Sequence, residues 1–600
     1  MDAPADFSPE HYNHDLLRAI PPAARTVLEV GCGPGALALA YRARNPRVRF
    51  LGIELDPERA AMARTRLDRV ASVDVERTPL PFDPGPGFDC IVYGDVLEHL
   101  HDPLALLATH AKALAPDGTM VISVPNLEHW SFAARLLRGT WHYEEDGLFD
   151  RGHLRWFTRA TMAEALAKLG LHPCDYRPRI FDAEAASRFT ETIAPALAAL
   201  GVDAVEYRER ASPLQYVWRA KKAPPERMLI GAAMLEPVGG VSHVRIVYPM
   251  AALESDARVV TRLYAEGELL EPPDPDIPHI FILHRSSLLG SEGRAMLRMV
   301  LAQGWVIVND FDDHPDFFEA MRRPDQIAFC GVHAISTTTP VLAEVLRGRH
   351  PEVGVFQNAV PALRPVRNFT RPDRITLFFG ALNREDDWRP LIGALNNVAR
   401  LAGPRLHFRI VHDRALFDAL ETPHKEFTPV CDHETYLDLL GGAEISFMPL
   451  ADTAFNRTKS DLKHLEAASC RVLSLASTTV YAGSIVDGRT GLLFADAEEL
   501  QQRLARIVAM PDMARGLADA ARAQVAAERM QGYQVAARLA WYRDLWTRRG
   551  ELTAALLERM AKLAEAGVPD SDPANPPQPG RSMPDFPVAM PQATAPLGTT

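Results

Sequence analysis

Cysteine is scarce in this 600-residue chain. The six present (Cys32, Cys90, Cys174, Cys330, Cys431 and Cys470) lie far apart, with no C-x-x-C pair. That spacing argues against both a structural zinc site and a disulfide framework. No apolar run approaches the roughly 18 residues of a membrane span, and the N-terminus lacks a charged-then-apolar signal. A cytoplasmic protein is therefore expected. Contact with the inner face of a membrane stays open, since Arg515 to Arg538 is mixed in charge rather than a basic amphipathic helix. Basic clusters are missing too: the longest is Arg219-Ala220-Lys221-Lys222, and the formal net charge is −12. A nucleic-acid partner is not expected, because neutralising phosphates takes clustered Lys and Arg. No short-period repeat is visible.

What is present is an ordinary globular composition, 47% hydrophobic and 24% charged, in a chain long enough for several cores. The stretch Thr26-Val27-Leu28-Glu29-Val30-Gly31-Cys32-Gly33-Pro34-Gly35 says most. Thr26 to Val30 reads as a buried strand. It runs into Gly31, Gly33 and Gly35 and then into Ala36 to Tyr41, an alanine-rich helix. A strand, a glycine turn and a helix opening bring backbone N–H groups close to a nucleotide-like ligand. The carboxylate of Glu29 would repel a pyrophosphate and attract a cationic amino-acid end, which points to S-adenosylmethionine.

Downstream residues agree. The strand Val48 to Ile53 ends at Glu54, about 20 residues past the glycines, where a carboxylate can hold both ribose hydroxyls. A third strand end supplies Asp74 and Val75 for an adenine. Phe88 to Gly94 is a fourth strand, and its loop carries Asp95-Val96-Leu97-Glu98-His99-Leu100. These motifs, with Ser123-Val124-Pro125-Asn126 and His153-Leu154-Arg155-Trp156-Phe157-Thr158, resemble the class I S-adenosylmethionine-dependent methyltransferases of small-molecule type, over roughly residues 10 to 222. An alcohol acceptor would benefit from a general base, so His99, Glu98 and His153 are the catalytic candidates. His99 could instead pack over the cofactor. Trp130, Trp141 and Trp156 could line a sugar-sized pocket or belong to the core.

Further strands follow a short Pro-containing linker. Met228 to Ala233, Ile280 to Leu283, Trp305 to Val308 and Ala334 to Ser336 form one alternating α/β series. Arg374 to Gly380, Leu406 to Val411, Ile445 to Met448 and Arg471 to Leu475 form another. Such alternation implies parallel sheets covered on both faces. Glu498 to Ala564 reads as helical. The two halves suggest the two-lobed GT-B architecture, and Asn456 to Ala476 with Val486 to Phe494 looks like the nucleotide-sugar site of retaining bacterial group 1 glycosyltransferases. The fold class expected is thus α/β, a Rossmann-like domain followed by two Rossmann-like lobes. The boundaries read 1–222 for the methyltransferase, 223–227 for the linker, 228–365 for the acceptor lobe, 366–566 for the nucleotide-sugar lobe and 567–600 for a disordered Pro/Ala-rich tail.

The resemblance makes Glu466 the ribose carboxylate, and sets Lys459 and Arg384, beside Gly380, against a diphosphate that needs cations as it leaves. The family usually has a second glutamate eight positions earlier, and here that position is Thr458. The bland alternative puts Lys459, Lys463 and Glu466 on one solvated helix face, with Lys463 and Glu466 as an i,i+3 pair. His284, just past a strand end, could contact sugar or acceptor, or be a core histidine. The run Asn309-Asp310-Phe311-Asp312-Asp313-His314 also suits a divalent cation, but its place inside a doubled Rossmann pattern speaks against that, and no metal is expected.

The resemblances imply a bifunctional enzyme of bacterial surface glycan or glycoconjugate synthesis. It would transfer a sugar from a nucleotide diphosphate donor to a saccharide, free or lipid-linked, and O-methylate a sugar hydroxyl. Two alternatives stand beside it: natural-product tailoring, and a methyltransferase whose other half has become a glycan-binding module. Retention of anomeric configuration is implied by resemblance only.

Overall fold

The computed structural model describes residues 11–234, 240–264, 272–371 and 373–565. The expected tail falls outside them. Three α/β sheets follow one another along the chain. The first holds β1 (Thr26–Val30), β2 (Arg49–Glu54), β3 (Arg69–Ser72), β4 (Phe88–Gly94), β5 (Leu114–Pro125), β6 (His172–Arg179) and β7 (Gln215–Lys221), in the spatial order β3-β2-β1-β4-β5-β7-β6. Its central strands are almost fully buried because helices cover both faces, so they read as continuous apolar runs. The last strand slots in antiparallel between β5 and β6, so the edge belongs to His172–Arg179, whose alternating burial marks it as half-solvated.

The second sheet contains β8 (Met228–Ala233), β9 (Val259–Tyr264), β10 (His279–His284), β11 (Val306–Asp310), β12 (Ala334–Thr337) and β13 (Val353–Val355), ordered β13-β12-β11-β10-β8-β9. The third contains β14 (Ile375–Gly380), β15 (Leu406–Val411), β16 (Lys425–Thr428), β17 (Ile445–Met448), β18 (Leu473–Ser477) and β19 (Leu492–Phe494), ordered β16-β15-β14-β17-β18-β19. Both sheets are parallel throughout their pairings. The α/β class and the two-lobed arrangement read from the sequence are both present.

One boundary needs correction. The helices Val535–Thr547 and Arg549–Glu565 do not belong with the third sheet. Val535, Leu539, Tyr542, Leu545 and Leu552 pack into the core of the second sheet, against Met228, Ile230, Ile280 and Val306. The chain therefore crosses between lobes twice, outward after β13 and back at residues 529–534. The two crossovers are hydrogen-bonded: the Val360 amide donates to the Arg529 carbonyl at 2.9 Å, and Gln531 donates to the Val360 carbonyl at 2.8 Å. Helical periodicity revealed the two helices but not the sheet whose apolar face they cover. Among the described residues no helix is long and apolar enough to cross a membrane.

Candidate functional site

Two clefts collect the chemistry-bearing side chains. The first lies at the C-terminal ends of β1, β2 and β4, where strand order reverses and open α/β sheets bind ligands. Gly31, Gly33 and Gly35 all have positive φ, and Gly35 is the N-cap of helix α1 (Ala36–Arg44). At Gly31 a side chain is excluded twice over. Its φ of +72° strains any L residue, and a Cβ would stand 2.4 Å from Val96 Cγ2. The glycine loop thus packs under the loop after β4.

Glu54 braces the cleft: its carboxylate accepts from the Gly33 amide at 2.7 Å and the Asp56 amide at 3.0 Å, one on each oxygen. Each oxygen keeps a second lone pair for a ligand hydroxyl. Glu29 is buried with one carboxylate oxygen unpaired, and burial followed by the charge of Glu54 raises its pKa well above the carboxylate range. A cation would relieve both conditions. Asp95, at φ +55°, accepts from Ser123 Oγ at 2.7 Å and Gln215 Nε2 at 3.0 Å. Asp74 caps the Glu76 amide at 3.0 Å, and both Asp74 and Val75 are half-buried.

Glu98 and His99 share a short turn after β4. The Glu98 carbonyl accepts from the amides of Leu154 (2.7 Å) and Arg155 (3.0 Å), which pins the distant His153 block onto this turn. The rings of His99 and His153 stand edge to face at 4.8 Å between centroids. Glu98 is 1% exposed, both its carboxylate oxygens lack a partner, and burial, then Asp95, raises its pKa. Burial lowers that of His153, whose Nδ1 is also unpaired. One ligand atom from each of Glu98, His99 and His153 falls within 4.8 Å of the others, so the trio could hold a divalent ion. Trp156 lies edge-on to His153 at 5.3 Å and to Phe132 at 5.1 Å, and Trp141 completes this cluster. Trp130 packs instead against Phe189.

The second cleft is a cavity of about 280 Å³ between the lobes. Gly380, Arg384, Lys459 and Glu466 all line it. Helix α2 (Leu462–Ser469) presents Lys463 and Glu466 into it, 3.4 Å apart, so the i,i+3 pair exists but faces the cavity. Burial works against the Lys463 ammonium, yet Glu466 and Tyr436 hold its pKa above the usual value. Arg384 donates to Asp387 at 3.1 Å and Asn456 at 3.0 Å. Lys459 reaches across to the first lobe and meets both oxygens of Asp313 at 2.7 Å. Thr458 is buried, its hydroxyl turned back onto the Phe455 carbonyl at 2.8 Å.

The acidic run after β11 is spoken for. Arg245 grips Asp310 in two hydrogen bonds of 2.8 and 2.7 Å, Arg285 binds Asp312 at 2.5 Å, and Lys459 binds Asp313. A metal there would have to displace three fixed cations. His284 is corrected from its expected contact role: it is 2% exposed, has neither ring nitrogen paired and is not among the residues lining the cavity. Arg285 takes the lining position, its backbone turned at φ +50°.

Comparison with known proteins finds two domain families along the chain. A methyltransferase domain family matches residues 7–174, and a glycosyl transferase-like family matches residues 388–539. The chain carries a methyltransferase domain and a glycosyl transferase-like domain. Trans-aconitate 2-methyltransferase of Methylobacterium nodulans is 37% identical over 126 residues, which is 21% of this chain and 47% of that one. Ubiquinone biosynthesis O-methyltransferase of Xanthomonas campestris pv. campestris is 35% identical over 153 residues, 23% of this chain and 63% of that one. The chain thus spans less than two thirds of either relative. A crystal structure of Anabaena HepE in complex with UDP-glucose aligns with 52% of this chain and 100% of that one, at 13% identity and a TM-score of 0.39.

Sequence reasoning missed several residues of the glycosyl transferase-like cavity, notably Arg245, Tyr436 and His433. Arg245 sits in a π-helical turn with no motif around it, and only the fold brings it to Asp310. His433 carried no sequence signal either, and only the fold stacks its ring on Tyr436 and sets it 3.8 Å from Glu466.

Proposed function

We propose that the chain is a bifunctional enzyme that O-methylates a saccharide hydroxyl with S-adenosylmethionine and transfers a sugar from a nucleotide diphosphate donor to a saccharide. A surface glycan or lipid-linked glycoconjugate is the substrate class that suits both activities in one chain. The observation that carries the reading is the pair of separate clefts, one built of carboxylates on a glycine loop, the other of cations between two lobes.

In the first cleft, Glu29, Glu54 and Asp74 offer carboxylates to an amino group, ribose hydroxyls and an adenine amine. The cofactor supplies an electrophilic methyl group when bound. An acceptor hydroxyl taking up that methyl group would have to give its proton to a base of this chain. His153, whose pKa is lowered and whose Nδ1 is free, fits that base. A second reading of the same trio rests on the two unpaired oxygens of Glu98: a divalent ion held by Glu98, His99 and His153 would orient the acceptor and acidify its hydroxyl. In the second cleft, Lys459, Lys463 and Arg384 oppose the diphosphate charge that grows as the glycosyl bond breaks, and Glu466 holds the ribose.

One observation favours a narrower role for that half. Thr458 presents no carboxylate and Lys459 is engaged by Asp313, an arrangement that also suits a saccharide-binding module. Calorimetry of the full chain against S-adenosylhomocysteine and UDP-, GDP-, dTDP- and CMP-sugars, with and without EDTA, separates the readings. Saturable binding of both ligand types supports two catalytic clefts and names the donor class. Binding of S-adenosylhomocysteine alone makes this a methyltransferase with a recognition module.

A further inference from the structure

The two ends of helix α1 meet different partners. Its first turn closes the glycine loop at Gly35. Its last turn, about 13 Å away at 1.5 Å per residue, lies against the crossovers that join the two C-terminal lobes. The Ala43 carbonyl accepts from the Leu363 amide of the outward crossover at 2.7 Å. Arg47, just beyond the helix, lies 4.2 Å over the ring of Tyr533 in the return crossover and donates to the Ala527 carbonyl. Between them Gly532 sits so close to the Pro22 carbonyl that a Cβ would be 2.4 Å from its oxygen. Arg44 adds a bond to Ser255 of the first lobe at 3.4 Å. The N-terminal domain therefore grips both strands of the hinge about which a two-lobed protein opens.

We propose that α1 couples the two clefts, so that S-adenosylhomocysteine and a nucleoside diphosphate each tighten the binding of the other. The proposal rests on the reading of the two clefts given above. The lobes here touch across the cavity, through Lys459 and Asp313 and through Asn358 and Ser460 at 2.8 Å, and the grip on the hinge exists in this closed arrangement. Opening the lobes shifts Leu363 and Tyr533 relative to one another and strains their contacts with Ala43 and Arg47. A ligand on the glycine loop orders the first turn of α1 and, through a helix of nine residues, its last. A second ligand then meets a hinge already held closed and loses less freedom on binding. The effect is reciprocal by thermodynamic necessity.

The test is titration of the full chain with UDP in the absence and presence of saturating S-adenosylhomocysteine, and the converse. Each ligand is expected to lower the Kd of the other by the same factor, about fivefold or more. Arg47→Ala removes an exposed side chain remote from both clefts. It should leave each ligand's own affinity within about twofold while bringing the coupling factor towards one. Equal UDP affinities with and without S-adenosylhomocysteine overturn the coupling. A factor that survives in both Arg47→Ala and Tyr533→Ala overturns the route through the hinge. If S-adenosylhomocysteine fails to bind by itself, or UDP, GDP and dTDP all fail, the reading of that cleft falls and the coupling falls with it; if UDP alone fails, the nucleoside diphosphate that does bind takes its place in the titration.

Discussion

Lys459 of one lobe and Asp313 of the other meet at 2.7 Å through both carboxylate oxygens, with Arg285 3.7 Å from the same carboxylate. A diphosphate entering the cavity competes with Asp313 for the ammonium. Asp313→Asn, which removes the competing charge, should tighten UDP binding by about tenfold, and Lys459→Ala should weaken it by about as much. Unchanged UDP affinity in Asp313→Asn would show that Lys459 does not contact the phosphates.

Glu54 holds the glycine loop and offers its remaining lone pairs to ribose. Glu54→Ala should lower S-adenosylhomocysteine affinity by about tenfold or more, with UDP retained in a cavity lined entirely by residues of the two later lobes, from Gly240 onwards. Loss of both ligands in a variant that keeps its circular dichroism spectrum would contradict two separate clefts.

The unpaired carboxylate of Glu98 makes a third prediction. In EDTA-stripped protein, added Mg²⁺, Mn²⁺ or Zn²⁺ should raise the Tm, by as much as about 2.7 kcal/mol of stabilisation at a hundredfold excess over Kd. Glu98→Gln or His153→Ala should abolish the shift. Because the ion displaces a proton from Glu98, whose pKa is raised, the shift should grow with pH. No Tm change with any of the three ions leaves the trio to proton transfer alone.

Six histidines, four buried and two half-buried, should weigh on acid stability. His110, His129, His333, His350, His412 and His464 are each pushed from 6.5 down to about 4 by burial. Their folded pKa lies below the unfolded one, so the unfolded chain binds more protons between those values. Their contribution is complete above about pH 6.5 and lost as pH falls through about 4. The Tm should drop across that window, and His464→Asn, which loses one titrating group hydrogen-bonded to Ser474, should flatten the drop. A Tm independent of pH over this range would contradict neutral burial.

The first cleft was largely legible because its parts are local: strand, positive-φ glycines and helix follow one another, and Glu54 sits at the next strand end. The second was legible in part: motif resemblance named Gly380, Arg384, Lys459 and Glu466, which all line the cavity, and helical spacing paired Lys463 with Glu466. Its charge balance was hidden, since Arg245, Arg285 and Lys459 are neutralised by Asp310, Asp312 and Asp313 from a run that looks like a metal motif in sequence. Nor could spacing show that the Glu98 carbonyl would catch the amides of Leu154 and Arg155, more than fifty residues on.

The return of Val535–Thr547 and Arg549–Glu565 to the sheet begun at Met228 bears on the order in which this protein can fold as it is made. The N-terminal domain can fold as soon as it leaves the ribosome. The next sheet then waits with an uncovered apolar face while about 180 more residues are added, roughly 10 to 40 s at ordinary translation rates. During that interval Met228, Ile230 and Ile280 lack the Leu539 and Tyr542 side chains that later cover them. Nascent chains stopped before residue 535 should therefore recruit chaperones, whereas those stopped soon after residue 227 should not.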